Sequence, residues 1–109
     1  KEEEEAEQLL EDAKMLEKIG CFALVLEKIP AKLAQKVAES ISIPVIGIGA
    51  GSGVDGQVLV LHDMIGMTHQ FSPRFLRRYM NLFEDMTKAI GQYVSDVKSV
   101  DFPNANEQY

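Results

Sequence analysis

Two apolar runs with no polar interruption, Cys21–Leu26 (CFALVL) and Ile43–Ile48 (IPVIGI), limit what this chain can fold into. A strand open to water on one face alternates apolar and polar residues. A strand without alternation reads as buried on both faces, as in a parallel sheet. Pro44 stands at the opening of the second run, where a missing N–H is tolerated. Between the runs, Pro30 takes a first-turn position and leads a short helix with Leu33, Ala34, Val37 and Ala38 on its inner side. Upstream, Ala6, Leu9, Leu10, Ala13 and Leu16 recur at three- and four-residue steps, which paints one stripe on a helix over Glu2–Lys18. Gly20 closes that helix where a left-handed residue is wanted. The order helix, strand, helix, strand with short connections is the signature of βα units around a parallel sheet.

Downstream, the glycine-rich stretch Gly47–Gly56 leads into QVLVL, Gln57–Leu61, expected to form a third strand. Ser72 and Pro73 read as an N-cap and a first-turn proline. A long helix is expected from there to about Lys98, burying Phe75, Leu76, Tyr79, Leu82, Phe83, Met86, Ile90, Tyr93, Val94 and Val97. The tail DFPNANEQY has no periodicity and is expected to fray. Three strands cannot close a barrel, which needs eight. The α/β chain is therefore expected to be the last part of a larger βα architecture: helix over 1–20, βα units and the long helix over 21–98, tail over 99–109. The opening residues agree with this expectation, because Lys1 runs into helix-forming sequence with neither an initiator Met nor a capping residue.

Apolar residues make up 46% of the 109, enough for a core and too many for a disordered chain. No apolar run has the length of a membrane span, and the acidic start does not read as a signal peptide. The single cysteine, Cys21, cannot form an internal disulfide, which favours a reducing compartment. A net charge of −6, with Glu2–Glu5 clustered at one end, argues against a nucleic-acid groove. The only basic cluster, Arg74, Arg77 and Arg78, reads as the wet face of the expected long helix.

Glu27 is the candidate for chemistry. It directly follows the first apolar run, at the carboxyl end of a buried strand, where βα folds assemble their active sites. A carboxylate there is costly unless it binds something or acts as a general base; the competing reading is a salt bridge to Lys28 or Lys32. Gly51, Gly53 and Gly56 satisfy G-x-G-x-x-G, but a strand rather than a helix is expected next, which argues against a dinucleotide site. A tight loop over the strand ends, passing close to a ligand, fits better. His62 and Asp63 are adjacent on an expected extended segment and so point to opposite sides, a poor pair for one ion; a structural role, with Asp63 capping a turn, is expected. His69 stands alone in a loop, Met64, Met67, Met80 and Met86 read as packing, and Cys21 as a small hydrophobe.

The combination of LVLE at Leu24–Glu27, the Pro30-led helix, IPVIGIGAG, DGQVLV and the HD-x-x-G of His62–Gly66 resembles the C-terminal half of the ketopantoate hydroxymethyltransferases. The resemblance is tight from Cys21 to Gly66 and looser from Ser72 onward. It implies the C-terminal portion of a (β/α)8 barrel similar to the phosphoenolpyruvate and isocitrate lyase group. It also implies a homo-oligomeric cytoplasmic enzyme that moves the one-carbon unit of 5,10-methylenetetrahydrofolate to the keto acid 3-methyl-2-oxobutanoate, giving 2-dehydropantoate for pantothenate and coenzyme A. In the family Mg2+ chelates the keto acid, and the glutamate of LVLE, here Glu27, accepts the proton from the carbon beside the keto group. The family's metal ligands and its lysine and serine contacts to the keto acid lie in the N-terminal half. This chain would thus carry the base without the metal and be inactive by itself. Two alternatives stand beside this reading: another metal-dependent carbon–carbon lyase or transferase of the same superfamily, and a non-catalytic assembly module using the long helix as its interface.

Overall fold

The computed structural model describes residues 2–109; Lys1, where the expected first helix would begin, lies outside them. The chain is α/β, with a three-stranded parallel sheet in the order β1-β2-β3. It divides into two compact units, one running to Leu59 and including Pro73–Leu76, the other made of Val60–Ser72 and Arg77–Tyr109.

In the first unit, α1 spans Glu2–Lys18. Its first turn holds Glu2–Glu5 and its last turn Lys18, the charge order that complements the helix dipole. Gly20, at φ +100, ends it. The Gly20 N–H donates to Glu17 O at 3.0 Å and the Cys21 N–H to Leu16 O at 3.1 Å, the paired bonds of a left-handed helix stop. β1 (Leu24–Glu27) follows, then α2 (Ala31–Ser40) and β2 (Val45–Ile48). Both strands are shorter than their apolar runs. The first ladder bond is Leu24 N–H to Pro44 O at 2.8 Å, so Cys21–Ala23 precede the start of the partner strand and stay irregular. Pro30 sits at the cap of α2 rather than inside its first turn, and its carbonyl accepts from Leu33 and Ala34.

The register pairs Leu24 with Val45, Val25 with Ile46 and Glu27 with Ile48. Leu24, Leu26 and Val45 lie on one face, closed over by Ala13 of α1 and by Ala34 and Val37 of α2; together with Ala50 they form the core. The other face, carrying Val25, Glu27, Ile46 and Ile48, has no helix over it among the described residues of this unit; Val25 is 64% exposed, while Ile46 and Ile48 are half-buried. Burial therefore alternates along β1 although its sequence does not, because only one face has a covering layer among the described residues.

QVLVL does not form the expected five-residue strand. β3 is only Gly56–Gln57, paired with Ile46 and Gly47, and Leu61 already belongs to a short helix, α3 (Leu61–Met64). Further pairing would need β2 to continue, but it turns away at Gly49, which has φ +67.

In the second unit the expected helix from Ser72 does not begin until Leu82. α4 spans Leu82–Lys98, with Asn81 at its cap. Before it, the Tyr79 N–H donates to Met64 O at 2.8 Å, and the first two residues of α4 donate to the same stretch, Leu82 to Ile65 O and Phe83 to Gly66 O, both at 3.0 Å. Gly66 permits this contact, since it has φ +71 and a Cβ there would stand 2.3 Å from Met80 O. No residue of α4 is buried; its apolar stripe is open among the described residues, with Ile90 59% exposed. The tail beyond it has no regular element, yet the Phe102 ring sits edge-on to Tyr93 at 5.6 Å. No helix among the described residues is long and apolar enough to cross a membrane.

Candidate active site

In a parallel sheet all strands end at the same edge. Here that edge gathers Glu27 of β1, Ile48 of β2, and the loops that follow them. Glu27 is the last residue of β1 and lies on the uncovered face, beside Ile48. Its carboxylate is exposed and makes no hydrogen bond or ion pair among the described residues, so the salt bridge to Lys28 or Lys32 is not formed. Directly after it, the Lys28 N–H donates to Ile48 O at 2.9 Å, and Lys28 then turns the chain off the sheet at φ +54. A non-glycine residue in that conformation costs about 1 kcal/mol or more.

The glycine loop joins β2 to β3 through Gly49–Asp55. A strand follows the G-x-G-x-x-G, so no helix N-terminus faces a pyrophosphate site. The close approach expected of this loop is made to the protein's own α2. A Cβ on Gly51 would stand 2.4 Å from the Ala31 Cβ, and one on Gly53 2.9 Å from the Gln35 Cβ. Gly51 is also at φ +78, where only glycine is free of strain. Gly51→Ala should therefore cost about 2–4 kcal/mol, combining backbone strain and overpacking. A urea midpoint within error of wild type in the full-length protein would refute this.

Two residues that hold this loop, Asp55 at its end and Gln57 of β3, escaped the sequence reading. The Asp55 carboxylate accepts from the Val45 N–H at 2.8 Å, while its own N–H donates to Val45 O at 3.0 Å. The Gln57 side chain donates to Gly51 O at 2.8 Å. Both pin the loop to the sheet, and the signal available was their common place in the DGQ of the motif. Beside the loop is a cleft of about 670 Å³, lined by Lys28, Pro30, Gly49, Gly51, Arg74 and Phe75 among others.

The remaining candidates fall in the second unit. His62 and Asp63 lie on α3 rather than on an extended segment. Their main-chain carbonyls, not the Asp63 side chain, do the local bonding: His62 O accepts from Met67 and Thr68, and Asp63 O from Gly66. His69 is not alone, for its ring stacks on Phe83 at 3.7 Å. The basic cluster is not a helix face. The Arg78 guanidinium donates to the carbonyls of Thr68, His69 and Phe71, tying a loop. Of the methionines, Met67, Met80 and Met86 are exposed rather than packed. In the first unit, the free thiol of Cys21 is half-buried against the core. Among the described residues no three His, Cys, Asp or Glu side chains converge where they could hold a metal ion.

Comparison with known proteins places these features in a family. The model of the ketopantoate hydroxymethyltransferase family matches residues 1–105. Similar curated proteins, each named 3-methyl-2-oxobutanoate hydroxymethyltransferase, come from Flavobacterium johnsoniae at 78% identity, Christiangramia forsetii at 71% and Parabacteroides distasonis at 68%. In all three the match covers 100% of this chain and 40% of the relative, so the chain spans about 40% of the length of the relatives it matches. A parallel sheet ending in LVLE, the IPVIGIGAG loop behind it and a family match over nearly every residue lead to one assignment: the chain belongs to the ketopantoate hydroxymethyltransferase family.

Proposed function

We propose that this chain is the C-terminal part of one (β/α)8 barrel domain, and that it supplies the general base for hydroxymethyl transfer from 5,10-methylenetetrahydrofolate to 3-methyl-2-oxobutanoate. The observation that carries this reading is the position of Glu27. It closes β1 at the shared carboxyl edge of the sheet and lies on the face that, among the described residues of its unit, no helix covers. In a closed barrel that face is the interior, and its upper rim is where substrates bind.

The chemistry follows from the substrate. The hydrogen on the carbon beside the keto group is removed as a proton by the Glu27 carboxylate. The electron pair left behind forms the new carbon–carbon bond to the methylene carbon; both of that carbon's bonds to folate nitrogens break, water supplies the hydroxyl oxygen, and 2-dehydropantoate and tetrahydrofolate are released. Among the described residues no ion pair competes for the Glu27 carboxylate, which leaves it open to a substrate proton. The described residues do not fit the Mg2+ of the family resemblance, because hard cations want several oxygens converging on one point and no such group is present. No step is assigned to the metal on this chain. Calorimetry of this chain with Mg2+ should show no saturable site tighter than about millimolar; a tighter site would mean that ligands converge here after all.

The direct test is activity. The full-length protein, given the keto acid and the folate, should release 2-dehydropantoate. Failure to form it, with formation of another carbon–carbon bond product from the same keto acid, would move the protein to a different reaction of the superfamily.

A further inference from the structure

The chain is acidic, with 17 Asp and Glu against 11 Lys and Arg, so a cleft lined by cations and no acid stands out. The cleft beside the glycine loop is such a place. Its only charged lining residues are Lys28 and Arg74, and neither makes an ion pair or a side-chain hydrogen bond among the described residues. Arg78, by contrast, is consumed by three carbonyls. Lys28 also keeps a long cationic side chain at φ +54, a conformation that glycine would adopt without strain. Local strain retained beside a candidate base points to a role for the side chain that imposes it. The remaining wall is Pro30, Gly49, Gly51 and the Phe75 ring, apolar and closely packed, with Phe75 within 2.9 Å of where a Gly49 Cβ would be.

Two cations over an apolar floor recognise a carboxylate-bearing chain. Resting on the proposed function, two sources of carboxylate exist: the keto acid and the glutamyl tail of the folate. The cleft's volume, about 670 Å³, lies in the range of sites for drug-sized ligands and far exceeds what a five-carbon acid fills. Lys28 is the next residue after Glu27, so the cleft adjoins the reacting centre without being part of it. We propose that Lys28 and Arg74 form the subsite for the glutamyl carboxylates of the folate co-substrate, with the Phe75 ring as its apolar wall.

The test uses the full-length protein with Lys28→Gly, Arg74→Gln and both together. Lys28→Gly removes the charge and relieves the backbone, so it should fold at least as stably as wild type. The probes are 5,10-methylenetetrahydrofolate carrying one or three glutamyl residues, and 3-methyl-2-oxobutanoate. In the double variant, KM for the triglutamyl form should rise about tenfold, with a smaller rise for the monoglutamyl form and none for the keto acid. Arg74→Lys should recover most of the loss. A KM rise confined to the keto acid, or no rise for either substrate, overturns the proposal. If the wild-type protein makes no 2-dehydropantoate, the proposed function fails and calorimetry decides the subsite. Triglutamyl tetrahydrofolate binding about tenfold weaker in the double variant supports the subsite; equal binding overturns it.

Discussion

Glu27→Gln in the full-length protein should lower kcat by about a hundredfold or more, the usual scale for a lost general base, while leaving KM for the keto acid near that of wild type. The substitution keeps the size and shape of the side chain and removes only its ability to accept a proton. Glu27 is exposed and has no partner among the described residues, so no hydrogen bond or ion pair is lost with it. Thermal stability should consequently be unchanged. A kcat within about threefold of wild type would mean that another group accepts the proton.

Expressed alone, this chain should aggregate or form a loosely packed state, and become soluble when co-expressed with the rest of the full-length protein. The reason is visible on the sheet. One face is covered by α1 and α2, while the other leaves Val25 64% exposed. β1 and β3 each present an edge with no further strand beside it among the described residues. Unpaired backbone next to uncovered apolar surface templates association. The stripe of Phe83, Met86, Ile90 and Val97 on α4 adds a second apolar surface. A monodisperse monomer with a single cooperative melt would contradict the reading of the sheet as part of a barrel.

Elements whose signals are local were legible in the sequence. The stripe of α1 and its stop at Gly20, the inner side of α2, and the parallel pairing of β1 with β2 follow from periodicity, a left-handed glycine and two apolar runs. What failed depended on distant partners. The strand expected from Cys21 begins at Leu24 because its neighbour begins at Val45 and the first ladder bond runs from Leu24 N–H to Pro44 O. QVLVL has the composition of a strand, but β2 leaves the ladder at Gly49, so the last bond is Val58 N–H to Gly47 O and Leu59–Leu61 have no strand to pair with among the described residues. Residues 73–81 have helical periodicity, yet the Tyr79 bond to Met64 and the grip of Arg78 on Thr68, His69 and Phe71 prevail over it. The candidate site divides in the same way. Glu27 was legible because a strand end is a local feature. The cleft between Lys28 and Arg74 was not, because the two stand 46 positions apart in the sequence and only the fold brings them to one wall.

The central claim concerns one proton, and it can be watched directly. The full-length protein should be incubated in D2O with 3-methyl-2-oxobutanoate and no folate, and the loss of the hydrogen beside the keto group followed by proton NMR. With no one-carbon unit to capture the electron pair, the carbon should be reprotonated from solvent and take up deuterium. The account predicts that wild-type protein catalyses this exchange and that Glu27→Gln reduces it by about a hundredfold or more. Exchange at the wild-type rate in the variant would contradict it.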